Sequence, residues 1–187
     1  PAVALPSMLK VTDFSTAAVL ASSSRGMARD AKFALPVGVA PERGLQIKTI
    51  LAARAVSAMF PEIHDIGGVR PDALRWHPNG LALDVMIPDY RSTAGIDLGN
   101  RIAAYALANA DRFSIDHVIW RQTMYLPGKA PRAMSNNGSD DANHYTHVHI
   151  ATTGGGYPTG QEVYFTSAAG PALAEGPVAV STLVSAH

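Results

Sequence analysis

A chain of 187 residues that is 47% hydrophobic and 16% charged can bury a core of one domain with attached segments, and is too apolar for global disorder. Lys+Arg and Asp+Glu balance at 15 each for a net charge of +0, which gives no electrostatic case for nucleic acid or an anionic membrane. Cysteine is absent, so a disulfide framework, a thiolate metal site and a cysteine nucleophile are excluded.

The opening "PAVALPSMLK" has no basic segment ahead of an apolar stretch, so no signal peptide is legible, and no apolar run reaches membrane-spanning length. The absence of an initiating Met and the linker-like ends suggest a mature or excised fragment. A helix-like stretch follows over 13–35, with Asp13 as N-cap and the Ser run and Gly26 weakening it. "PVGVAPERG" (36–44) reads as a connector. In 45–60, apolar residues at 47, 50, 51, 55, 58 and 59 have helical spacing, and Pro61 stops the helix. "GGVRPDALR" (67–75) is loop or short strand, and "GLALDVMI" (80–87) is a strand ended by Pro88. A second amphipathic helix is expected over 95–110, and one strand over 116–126. A long polar loop covers 127–143, a final strand 144–152, and "TGGGYPTG" (153–160) turns tightly or is flexible. These elements predict an α+β domain with a small, mainly antiparallel sheet flanked by helices over 36–153. Residues 1–35 form an Ala/Ser-rich N-terminal segment, and 154–187 a Gly/Pro/Ala-rich C-terminal tail.

Two stretches carry the chemistry. In "HPNGLALD" (77–84), Gly80, Ala82, Asp84 and Met86 share one strand face, and Leu81, Leu83, Val85 and Ile87 form the core face. Asp84 stands among small residues that leave space beside it, and the turn before the strand can curl His77 toward it. In "NHYTHVHI" (143–150), His147 and His149 share a face, with Thr146, Val148 and Ile150 opposite. If the two strands pair, their facing side chains come within roughly 4.5–5.5 Å. His77, Asp84 and His149 then close on one ion at about 2.0–2.2 Å, the bonding range of zinc, and leave a position for water. His147, on the same face, stands beside that water as general base. Seven positions separate His77 from Asp84, unlike the closely spaced first His and carboxylate of facial-triad iron oxygenases. On its own each piece has an ordinary reading, since strand histidines are commonly surface or core residues, and His64, His117 and His187 receive no role.

"HPNGLALD" resembles the His-x-x-Gly-x-Ala-x-Asp motif of the zinc peptidases that cut cell-wall peptides: lysostaphin-type enzymes, D-Ala-D-Ala carboxypeptidases and penicillin-insensitive murein endopeptidase. "HVH" (147–149) is similar to their His-x-His motif, and "HYTHVH" most resembles the murein endopeptidase branch. The chain also resembles a C-terminal domain of actinobacterial secreted and phage-associated proteins. The resemblance covers about 45–152. It implies a Hedgehog/DD-peptidase-like fold, Zn2+ held by His77, Asp84 and His149, and His147 as catalytic histidine, with His144 at the position of the extra histidine of that branch. Arg70 stands where related enzymes often carry an arginine that grips a carboxylate or polarises the scissile carbonyl. The implied substrate is a peptidoglycan peptide, with no nucleic-acid or membrane partner, and the implied location is extracellular or wall-associated.

The chain departs from the carboxypeptidase pattern in having Arg75 two residues before His77, where that branch has Ser. No acidic residue precedes His147 within its strand to act as the glutamate base, so either a histidine serves as base or activity is weak or absent. Arg121 is a second substrate-binding candidate, Trp76, Trp120 and Tyr145 are candidate cleft walls, and the loop 127–143 is a candidate lid. The expected activity is zinc-dependent cleavage of an amide bond in peptidoglycan stem peptides or cross-links. The alternatives are a non-catalytic wall-binding or phage structural module that retains the metal site, and a glycan-directed hydrolase on the same scaffold.

Overall fold

The computed structural model describes residues 32–167. Most of the helix-like stretch 13–35, most of the C-terminal tail and His187 lie outside them. In chain order the elements are β1 (Lys32–Ala34), α1 (Ile47–Met59), β2 (Ile66–Gly67), β3 (Ala82–Met86), α2 (Thr93–Ala108), α3 (Ala110–Phe113), β4 (Ile115–Trp120), β5 (Thr123–Tyr125), β6 (Arg132–Ala133), β7 (His147–Thr152) and β8 (Phe165–Ser167). Ala34–Thr166 forms one compact unit. β1 and β8 pair in a two-stranded sheet of their own.

The main sheet has six strands in the order β2-β3-β7-β4-β5-β6, every neighbouring pair antiparallel, so the domain is α+β with an open sheet. Alternation decides what each face does. Leu83 and Val85 of β3, Val148 and Ile150 of β7, and Val118 and Trp120 of β4 are all buried in one core with Ile50, Ala53 and Val56 of α1 and Leu98, Ile102 and Ala106 of α2. Trp120 donates from Nε1 to Asn100 Oδ1 at 2.9 Å. Its indole lies so close to Gly99 that any Cβ there would collide with the ring. The intervening residues of the same strands, Asp84, His147, His149, His117 and Ile119, lie on the other face.

α2 begins two residues earlier than its apolar spacing predicts, because Ser92 caps it by accepting from the Gly95 N–H at 3.0 Å. α1 has no side-chain cap. Its first free N–H groups are taken instead by the triple-glycine segment, with Ile47 N donating to Gly156 O at 2.9 Å and Lys48 N to Gly154 O at 2.8 Å. The segment expected to be flexible or tightly turning is therefore tied to a helix end. A buried bond of 2.8 Å between Thr49 Oγ1 and Thr152 Oγ1 joins α1 to β7.

The single strand expected over 116–126 is a hairpin. β4 stops at Trp120, Arg121 (φ 48°) and Gln122 (φ 58°) turn through the left-handed region, and β5 returns. Non-glycine residues seldom adopt this geometry, so "WRQT" carries no turn signal. Tertiary bonds hold it: Arg121 N donates to His144 O and Gln122 N to Asn143 O, both at 2.8 Å. The last strand starts at His147 rather than at 144, because His144 has φ 55° and cannot extend it.

Candidate metal centre

β3 and β7 pair with Asp84 directly opposite His149 and Met86 opposite His147. On the far side of β7, Ile119 faces His149 and His117 faces Ala151. His77 comes from the turn before β3. Its placement depends on Gly80, which has φ 65° and packs so tightly on the Gly44 carbonyl that no side chain fits. The four groups are almost entirely buried: His77 at 2% exposure, His147 and His149 at 5%, and Asp84 at 7%.

Each oxygen of Asp84 faces histidine nitrogen. His149 Nδ1 lies 2.9 Å from Oδ1, His147 Nε2 lies 3.5 Å from Oδ1, and His77 Nε2 lies 3.3 Å from Oδ2. His77 Nδ1 is committed to the Gly68 carbonyl at 2.7 Å, where it must be the donor. Nε2 of the neutral ring is then an acceptor. It is buried without a hydrogen-bond partner while facing a carboxylate oxygen. Two acceptors turned toward each other in a buried site repel unless a proton or cation lies between them. The donor atoms of His77, Asp84 and His149 all lie within 4.8 Å of one another, so this group can hold a metal ion. Two imidazoles and one carboxylate suit zinc with an open position, so the residues present fit that ion.

The buried groups also shift one another's ionisation. Burial opposes ionisation of Asp84, but the hydrogen bond from His149 and the neighbouring imidazoles of His77 and His147 hold its carboxyl far below the usual range. Burial likewise opposes protonation of His77, yet the Asp84 carboxylate 3.3 Å from its Nε2 lifts that imidazole above its ordinary value. For His147 and His149 burial prevails and both are pushed down. Burial, followed by the nearby charges of His147 and His149, lowers His144 to about 4.

The structure gathers His144 and Arg70 at the same place. The His144 ring centroid is 4.9 Å from His147 and 5.5 Å from His149, and its Nδ1 is buried without a partner. Arg70 Nη2 binds Asp84 Oδ2 at 2.9 Å and Nη1 binds Asp72 Oδ2 at 2.5 Å, so both sides of its guanidinium fork are engaged by carboxylates. A cleft of about 570 Å3 opens over this face, lined by Arg70, Trp76, His77, Met124, His147 and His149 among others.

Three expected cleft residues stand elsewhere. Trp120 follows Ile119 along β4, so alternation turns it into the helix-packed core. Tyr145 and Arg121 stack on each other, with the guanidinium 4.7 Å from the ring, and line a separate small hollow with Tyr90, Arg91 and Asp140. Trp76 does line the cleft, edge-on to His117 at 4.8 Å. The segment 127–143, expected to be a loop throughout, carries the short β6 and reaches the same cleft through Met134, Asn137, Asp141 and Ala142.

The sequence reading passed over His117. It is buried, stacks on His149 with centroids 5.5 Å apart, and is bonded through Nδ1 to Asp116 at 2.7 Å. The alternation of "IDHVIW" placed it on one face with Ile119, but only the β4–β7 register places that face over His149.

Among known families, the one described as VldE, C-terminal domain, matches residues 41–145, more than half of the chain. The chain belongs to the VldE C-terminal domain family. The matched segment contains Arg70, His77, Asp84 and His144 and ends just ahead of His147 and His149. No curated protein and no solved structure matches this member of the VldE C-terminal domain family. Among its described residues no helix is long and apolar enough to cross a membrane.

Proposed function

We propose that the protein is a zinc-dependent hydrolase that cleaves an amide bond in a peptidoglycan stem peptide or cross-link, on a Hedgehog/DD-peptidase-like scaffold, at the cell wall. The observation that carries this reading is the unpartnered Nε2 of His77, turned toward Asp84 in a two-histidine, one-carboxylate group on the floor of a cleft. The sequence patterns around that group, His-x-x-Gly-x-Ala-x-Asp and His-x-His, support the substrate class. Zinc bound there would polarise an amide carbonyl and acidify a water molecule.

The remaining work falls to the chain's own side chains. His147, with Nε2 near Asp84 Oδ1 but outside the three-ligand group, takes a proton from water at the centre and returns it to the leaving amine. Arg70 holds the carboxylate of Asp84 in place against Asp72. His144 closes the back of the site and helps exclude water around His147. Trp76 and Met124 form apolar surface against which a peptide can lie.

Incubating the full chain with purified peptidoglycan, with zinc and again after chelation, tests the reading. New amino groups that appear only with zinc, on peptide fragments identified by mass spectrometry, are the expected result. New reducing ends would move the activity to glycan. Retention on the wall without products would leave a binding module, and failure to bind zinc would end the proposal.

A further inference from the structure

His147 does not face the centre unaided. Thr146 Oγ1 lies 2.9 Å from Asp141 Oδ1 and 2.9 Å from His147 Nδ1. An ionised carboxylate only accepts, and a hydroxyl carries one proton. Thr146 therefore donates to Asp141, and its oxygen is left to accept from His147. Asp141 Oδ1 itself stands 3.4 Å from the same Nδ1, a second acceptor on that side of the ring. We propose that Thr146 and Asp141 are positioning residues that fix neutral His147 as the Nδ1–H tautomer, so that its unprotonated Nε2 points at the metal group. This goes beyond the set of groups that line the site, and its catalytic consequence rests on the hydrolase reading given above.

The arrangement also explains how a side chain as exposed as Asp141, at 76%, is held in one place. It sits at the end of the loop 127–143, where three main-chain bonds close the turn. Asn143 N donates to Ser139 O at 3.0 Å, His144 N to Asp141 O at 2.9 Å, and Tyr145 N to Asp140 O at 2.8 Å. Asp140, next to it, is held from the opposite side by Tyr90 Oη at 3.0 Å and Arg91 Nη2 at 2.7 Å. Exposed ion pairs of this kind add little to stability. Here they locate the carboxylate that orients Thr146. The orientation of a histidine is commonly set by what its second nitrogen binds, and removing such a partner typically costs about 10–100-fold in activity.

The test compares full-length wild type with Thr146→Val, which keeps the shape without the hydroxyl, and Thr146→Ser, which keeps the hydroxyl. Nitrogen-15 NMR of the histidine rings, in zinc-loaded protein, reads the tautomer of His147 directly. The expected result is Nδ1–H in wild type and Thr146→Ser, with a shift toward Nε2–H or a mixture in Thr146→Val, at unchanged zinc content. Where wall hydrolysis is measurable, kcat falls about 10–100-fold in Thr146→Val with KM nearly unchanged, and Thr146→Ser restores it. An Nε2–H ring in wild type, or an unaltered tautomer in Thr146→Val, overturns the proposal. If wild type binds zinc yet releases no product, the hydrolase reading fails while the tautomer measurement still decides this one.

Discussion

The two faces of the six-stranded sheet are built from the same strands, residue by residue in alternation, and obey opposite rules. On the helix-packed face, Leu83, Val85, Val118, Val148 and Ile150 are all fully buried in the apolar core. On the cleft face, Asp84, His147 and His149 are nearly as buried, yet they carry ionisable groups whose requirements the protein meets only in part, leaving His77 Nε2 and His144 Nδ1 without partners. Burial on the first face is a source of stability at about 25 cal/mol per Å2 of apolar area. On the second it raises the cost of every unmet hydrogen bond. Burial by itself does not separate scaffold from site; here the cleft face is set apart by its cluster of buried ionisable groups.

The comparison breaks most sharply at the ligand group. Asp84→Ala and His149→Ala are expected to abolish tight zinc binding, read as metal content of the purified chain. Retention of one zinc per chain in both variants would show that this face is not a metal centre. Ile150→Ala, on β7 next to His149 but on the opposite face, should cost about 2–5 kcal/mol in chemical denaturation while the folded fraction still binds zinc fully. Loss of zinc at full folding would mean that the faces are not separable.

A smaller effect follows from His144 in the zinc-free protein. Its folded value of about 4 lies below the ordinary value near 6.5, so the unfolded chain takes up a proton that the folded chain refuses. Stability from this group is therefore intact above about pH 6.5 and is lost as the pH falls toward 4. His144→Asn should flatten that part of the stability–pH curve, and an unchanged slope would argue against burial as the cause. Smallest of all, Thr49→Val removes the bond that ties α1 to Thr152, which keeps its bond from the Gly154 N–H. The expected loss is about 1 kcal/mol with zinc binding unaltered.

What the sequence made legible divides along similar lines. Period-2 alternation placed Asp84 and the two histidines on strand faces, and period-3.6 spacing placed α1 and α2, because those signals are local. The β4–β5 hairpin was hidden, since Arg121 and Gln122 hold left-handed geometry through bonds to His144 and Asn143, residues far along the chain. Trp76 and Trp120 looked alike as candidate walls, but Trp76 reaches the cleft from the turn before β3, whereas strand phase in β4 sends Trp120 against Gly99. Thr146 was grouped with Val148 and Ile150, opposite the two histidines, by extending the strand back through 144. The true start at His147 frees its hydroxyl to reach the imidazole beside it. His117 needed the cross-strand register, which no stretch of "IDHVIW" contains. The roles of the gathered residues rest on the proposed chemistry, not on their legibility.

The triple-glycine segment after β7 has a consequence for where this domain can be cut. Besides receiving the first N–H groups of α1, it binds the side chain of Gln46, through Gly156 N to Oε1 at 3.0 Å. Gln46 in turn donates from its main chain to Gly80 O and from Nε2 to Asn79 O, each at 3.0 Å, so it grips the turn that carries His77. Further on, Tyr164 O accepts from Leu35 N at 2.7 Å. A shortened version that stops at the end of β7 would keep every proposed metal ligand and still lose the clasp that seats one of them. The compact unit that keeps this clasp is Ala34–Thr166, and the stretch that reads as trailing linker is the buckle of the histidine turn.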